Sequence, residues 1–192
     1  DKYSSVSGIG SDGLAQIKIQ DPDASITVID EVNMLQFADI DDATTTAVNL
    51  TGGISDTAVS MANVGGNQQT SGFSAATTQD TDVNVTITGT DATVSQLNEI
   101  ASAAGGTVTA SITGDISTLE SLTTASTDVI SVTVNDAVTV TEFNTLDAKT
   151  ATAISLTGGI SDTAVSLADV GGNSTSGFSA ATTQDTDVNV TI

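Results

Sequence analysis

The chain has 192 residues and carries 24 acidic side chains against three lysines, with no arginine and no histidine, for a net charge of −21 at pH 7. Nucleic acid and anionic membrane surfaces both require clustered positive charge, so this composition excludes them as partners. The absence of histidine and cysteine likewise excludes serine–histidine triads, cysteine nucleophiles and ordinary zinc sites.

Only 14% of the residues are charged and 38% are apolar, which describes an ordered but strongly self-repelling chain rather than a disordered one. Such repulsion is tolerated where salt is high, because the Debye length falls to about 3 Å near 1 M ionic strength. An extracellular or cell-surface location is therefore expected. No apolar run approaches the roughly 20 residues that a membrane-spanning helix needs, so no membrane insertion is expected. The opening DKYSSVSGIGSDG lacks a signal-peptide core; an export signal was cleaved, is internal, or lies beyond this segment.

In chain order, residues 1–19 read as an N-terminal edge or cap and 20–87 as the first coils of a repeating structure. Residues 88–192 read as the subsequent coils. Each coil opens with an alternating apolar/polar run ending in an aliphatic anchor, at Ile19, Leu50, Ile87, Ile112, Val134, Leu156 and Ile192. Residues 50–87 (LTGGISDTAVSMANVGGNQQTSGFSAATTQDTDVNVTI) return at 156–192 with one deletion and a few substitutions, a long repeat of 106 residues. Such near-identity marks a recent duplication inside a longer array.

The alternating runs predict strands: Val83, Val85 and Ile87 face one side, as do Val108, Ala110 and Ile112, and Ile130, Val132 and Val134. A three-residue rhythm comes after each, in Val94, Leu97 and Ile100, in Ile116, Leu119 and Leu122, and in Val140, Phe143 and Leu146. It predicts a short helix, α or 3₁₀. Thr93-x-x-Gln96, Ser117-x-x-Glu120 and Thr139-x-x-Glu142 read as capping boxes at the starts of these helices. The expected fold is a repeat solenoid, with parallel β-strands and short helices in coils of about 22–25 residues, leucine-rich-repeat-like in its α/β layering. The whole chain would then form one solenoid domain. The alternative is a pure β-solenoid. Two inserts, 65–80 and 171–185, are rich in Gly, Asn, Ser and Thr and predict loops that Phe73 and Phe178 pin to the body.

Among ligands, calcium is the cofactor the sequence points to, because it takes several oxygens from Asp, Asn and carbonyl groups. The candidate metal-ligating residues are Asp80, Asp82 and Asn84 and their copies Asp185, Asp187 and Asn189, with Asp21, Asp23, Asp39, Asp41 and Asp42 next. Neither an EF-hand loop nor the glycine-rich calcium nonapeptide is present. The competing reading is that Asp82 and Asn84 occupy the solvated face of a strand and Asp80 a turn. Asn49, Thr86, Ser111, Thr133, Ser155 and Thr191 predict a polar row on the outward strand faces, where sugars or ice would bind, although Ser and Thr are also ordinary on exposed strands. Carboxylate pairs leave glycosidase chemistry formally open, but the Asp residues recur with the coils, which speaks for structure over a unique active site.

TEFNTLDAKTATAISLTGG (141–159), ITGTDATVSQLNEIAS (87–102) and GISDTAVSLADV (159–170) resemble the tandem repeats of giant secreted, adhesin-like cell-surface proteins of marine cyanobacteria and related bacteria. That resemblance implies a secreted adhesin or surface coat, often calcium-dependent, with no catalytic residues to transfer. The expected function is a non-catalytic extracellular structural protein, not an enzyme, forming a filament, surface layer or adhesin stalk. Its expected partners are copies of itself, head to tail. The alternative is an adhesin or viral-fibre module that grips surface glycans through its inserts.

Overall fold

The structure is a computed structural model that describes residues 11–65 and 68–192. Most of the expected edge at 1–19, together with residues 66 and 67 of the first insert, lies outside the described residues. The chain divides into two compact units, residues 1–109 and 110–192.

In the first unit, α1 (Ser11–Gln20) is followed by α2 (Met34–Asp41), β1 (Ile54–Thr57) and the single-turn α3 (Ala58–Met61). Then come α4 (Ser71–Gln79), β2 (Val85–Thr88), α5 (Val94–Ala104) and β3 (Val108–Gly114), whose last residues belong to the second unit. The second unit continues with α6 (Ile116–Leu119), β4 (Val129–Val134), α7 (Val140–Asp147), β5 (Ser155–Leu156) and β6 (Ile160–Ser161). It closes with α8 (Ala164–Leu167), α9 (Ser176–Gln184) and β7 (Val190–Thr191).

The expected solenoid, in both its leucine-rich-repeat-like and its pure-β form, is corrected. The fold is mixed α/β, with one five-stranded parallel sheet in the order β1-β2-β3-β4-β5, a separate β6-β7 pair, and nine helices among the described residues. Two local features break the uniform repeat. The Thr-Gly-Gly turn after Leu50 and Leu156 deflects the chain, with Gly53 and Gly159 at φ of +86° and +80°. As a result Leu156 pairs with Val134, while Ile160 starts a separate ladder with Val190. The second feature is the inserts, which are not loops. Each contributes a nine-residue helix, α4 or α9.

Those helices form for definite reasons. Thr70 and Thr175 accept the N–H of Phe73 and Phe178, which caps both N-termini. Phe73 and Ala76 then lie one turn apart on a buried face. Interior threonines are tolerated because Thr77 and Thr78 donate to the Phe73 and Ser74 carbonyls one turn back.

The core matches the predicted rhythm closely. Every inward residue of the three alternating runs is buried, and so is every member of the three helical stripes. Capping boxes close at Thr93–Gln96 and Thr139–Glu142, and a third closes at Asn33–Gln36. Ser117 is not a cap; α6 starts one residue earlier behind Asp115, which places Ser117 inside the helix. Ile19 is not a strand anchor either, but an exposed residue of α1. Val28, whose N–H donates to the Asn49 carbonyl, is buried.

Candidate functional site

The conspicuous polar side chains are mostly spent on joining neighbouring segments. Asp80 is buried at the C-cap of α4, where its Oδ2 accepts the Leu50 N–H at 2.6 Å. The preceding Gln79 accepts the Val48 N–H through Oε1 and donates through Nε2 to Asp41 at 2.6 Å. The second unit repeats this latch. Asp185 accepts the Leu156 N–H at 2.6 Å, and Gln184 bridges the Ile154 N–H and Asp147. Buried and half-buried backbone N–H groups need acceptors, and these side chains supply them to Val48, Leu50, Ile154 and Leu156.

A second set of carboxylates reaches back along the chain to helix starts. Asp56 accepts the N–H of Met34, the first residue of α2, at 2.9 Å. Asp136 does the same for Ile116 at the start of α6, and Asp162 for Val140 at the start of α7. A negative charge beside unpaired N-terminal amides is favourable on hydrogen-bond and helix-dipole grounds alike. Sequence reading did not find these contacts. The signal available was an Asp 20 to 22 residues after each helix start, about one coil step later.

Five of the six candidate metal ligands line two depressions, one in each unit, and Asn189 lines neither. Asp80, Asp82 and Asn84 line one of about 210 Å³ together with Asn49, Leu50 and Thr51. Asp185 and Asp187 line another of about 260 Å³ with Ile154, Ser155 and Gln184. Within the first, Asn84 Oδ1 accepts the Thr107 N–H at 2.9 Å, and Asp80 is committed to Leu50. Asn189 presents its side chain beside Gly159 in the second unit. Among the described residues no three acidic side chains converge as a metal-binding group. A calcium ion taken up here would meet one carboxylate oxygen and one amide oxygen already engaged, and would complete its six to eight ligands largely from water.

The secondary candidates are dispersed. Asp42 pairs with Lys18 at 2.6 Å, Asp41 holds Gln79, and the Asp23 carbonyl accepts the Thr46 hydroxyl. Asp39 and Asp42 line a cavity of about 230 Å³ between α1 and α2, together with Leu14 and Lys18, while Asp21 serves through its carbonyl to Ala24. The expected polar row is broken up as well. Thr27 stands beside Asn49 and Thr133 beside Ser155, whereas Thr86 stands between Ser55 and Thr109.

Hydrogen bonding lowers three carboxyls below the ordinary value of 3.8. The Val140 N–H acts most on Asp162, the Asn173 N–H on Asp169 and the Leu156 N–H on Asp185. A carboxyl whose folded value is depressed stabilises the fold at pH above its unfolded value, and that stability is lost as pH falls through the folded value. The general self-repulsion has the opposite sign, since it fades as pH falls toward the sequence isoelectric point near 4.1. Thermal melts at low ionic strength are therefore expected to show a midpoint that rises from pH 7 toward about pH 4 and falls below it. A midpoint still rising at pH 2.5 would show that these hydrogen-bonded carboxylates contribute nothing.

No protein family, no curated protein and no solved structure matches the chain. No helix among the described residues is long and apolar enough to cross a membrane.

Proposed function

We propose that this chain is a non-catalytic structural module of a secreted or cell-surface protein, built to engage further copies of its own repeat in a filament, surface layer or adhesin stalk. One observation carries the reading: the polar groups that recur across the 106-residue repeat are used to fasten backbone. Gln79 and Asp80, Asp56, and their counterparts Gln184, Asp185 and Asp162 all hold amides of neighbouring segments. A repeat under pressure to catalyse would instead leave such groups facing a cleft. The charge of −21 keeps such modules soluble, and it makes their association dependent on salt.

Two measurements test this. Light scattering over a wide concentration range, at low and high salt, should show association that strengthens with salt; a strictly monomeric chain under all conditions would sink the self-association. Calorimetric titration with calcium addresses the cation reading, which rests on the recurrence of Asp80 and Asp82 as Asp185 and Asp187, each pair lining a depression. Weak binding is expected, with a Kd on the order of 10⁻⁴–10⁻³ M as in extracellular calcium modules. Asp82→Asn with Asp187→Asn should abolish it, and unchanged binding in that variant would refute these clusters as the sites.

The binding-module reading rests on exposed valines that recur in both inserts or beside them. Val59 and Val64 in the first unit correspond to Val165 and Val170 in the second, and all four are exposed. Val64→Asp with Val170→Asp leaves the buried Phe73 helix intact, so loss of glycan or cell adhesion in that variant would favour a gripping role over a structural one.

A further inference from the structure

The acceptor motif for Asn-linked sugars, Asn-x-Ser/Thr with x other than Pro, stands at Asn49, Asn84, Asn173 and Asn189. Ser and Thr are so common in this chain that the presence of the motif decides little. Its placement decides more. Asn49, Asn84 and Asn189 are tied to neighbouring segments, since their carbonyls accept the Val28, Ile54 and Ile160 N–H groups. Asn84 also spends its Oδ1 on the Thr107 N–H. A sugar on any of these three would stand against a paired segment.

Asn173 is placed differently. Its bonds all go to Asp169 inside one turn: its N–H donates to Asp169 Oδ1 at 2.9 Å, its carbonyl accepts the Asp169 N–H at 2.8 Å, and its Nδ2 donates to Asp169 Oδ2 at 3.2 Å. Val170, Gly171, Gly172, Asn173 and Ser174 are all exposed, and nothing lies within 4 Å of the place a Cβ on Gly172 would take. An Asn Nδ2 carries two hydrogens. A sugar replaces one of them and leaves the other to reach Asp169, so the turn loses no hydrogen bond. The two copies of the long repeat differ at this place, because the first insert reads Asn67-Gln68-Gln69 and lacks the motif.

We propose that Asn173 carries an Asn-linked glycan, which makes the second insert a modification site that the first insert is not. The inference rests on the secreted or cell-surface reading above. In the transfer, Nδ2 attacks the anomeric carbon of a sugar activated as its diphosphate. The nitrogen–carbon bond forms, the carbon–oxygen bond to the diphosphate breaks, and one Nδ2 proton passes to the transferase. The folded structure also sets the order of events. Thr175, the hydroxyl half of the motif, caps α9: it donates to the Ser166 carbonyl at 2.7 Å and accepts the Phe178 N–H at 3.4 Å. A transferase that reads this hydroxyl therefore acts before the cap of α9 closes.

The test is a mass map of the protein recovered from the cells that make it. A protease that cuts before aspartate releases Asp169–Gln184, and this peptide should be heavier by whole sugar residues. Peptide-N-glycosidase should remove the added mass and convert the Asn173 amide to a carboxylate. Asn173→Gln should lose the added mass, and the first-insert peptide Asp56–Gln79 should carry none. An unmodified Asp169–Gln184 peptide overturns the inference, as does sugar found only on Asn49, Asn84 or Asn189. The order of events is tested by offering the folded chain and the synthetic peptide 168–184 to a purified Asn-x-Thr transferase with its activated sugar. The peptide should react at least about ten-fold faster, because the folded turn reacts only through its opened fraction. Equal rates would overturn the capping argument. A glycosylated chain that never self-associates would keep this inference and remove the assembly reading. An associating chain with Asn173 unmodified would do the reverse.

Discussion

Gly158→Ala is expected to destabilise the second unit by at least about 3 kcal/mol, more than most single substitutions do. A Cβ at this position would overlap the backbone of Asp136. A flexible side chain would swing aside, but here the obstacle is main chain held on both flanks. The Val138 N–H is bonded to the Gly159 carbonyl at 3.0 Å, and the Asp136 carboxylate holds the Ile116 N–H at 2.8 Å. Neither neighbour moves without breaking a hydrogen bond. Gly172→Ala is the matched control, because Gly172 has a positive φ of +80° but nothing within 4 Å of its missing Cβ. It should cost only about 1–2 kcal/mol, the ordinary penalty for the left-handed conformation. Urea midpoints for the two variants measure the difference, and equal midpoints would show that the close approach at Gly158 is not tight.

Phe73→Ala should cost about 3–5 kcal/mol, the range for removing a fully buried aromatic ring. Phe178→Ala, the same change in the same nine-residue helix sequence, should cost about 1–2 kcal/mol, because that ring is only half-buried and less apolar area returns to water. Thermal melts or urea curves decide the matter. Equal losses would mean that the ring is covered to the same degree in both units.

The sequence rhythm reveals the strands and most helix stripes, because burial on one face leaves a period of two or about three that survives even in Ser- and Thr-rich sequence. Val83, Val85 and Ile87, or Val94, Leu97 and Ile100, can be read directly. Helix α4 cannot, since SGFSAATTQ looks like a loop by composition; its helix rests on one Thr cap and a Phe–Ala pair one turn apart. Ile19 misleads because an alternation of three residues also fits an exposed helix face. The regular solenoid fails for a related reason: the recurrence of anchors does not reveal that the Thr-Gly-Gly turn interrupts the ladder between Leu156 and Ile160. The candidate ligands Asp80 and Asp185 stand out in the sequence through their clustering with other polar groups, yet their partners are the Leu50 and Leu156 amides some 30 residues away. A contact of that span is set by tertiary register and leaves no short motif.

The carboxylates of Asp56, Asp136 and Asp162 all point the same way along the chain, from a later segment to the start of an earlier helix. The first amide of each of these helices is therefore held from downstream, while α2 and α7 also carry capping boxes of their own. Proteolytic trimming from the C-terminal side that removes Asp162, Asp136 or Asp56 exposes the first amide of α7, α6 or α2. Trimming from the N-terminal side removes helices but leaves the remaining caps in place. For these three helices, losing chain from the C-terminal side removes a cap that losing chain from the N-terminal side leaves in place.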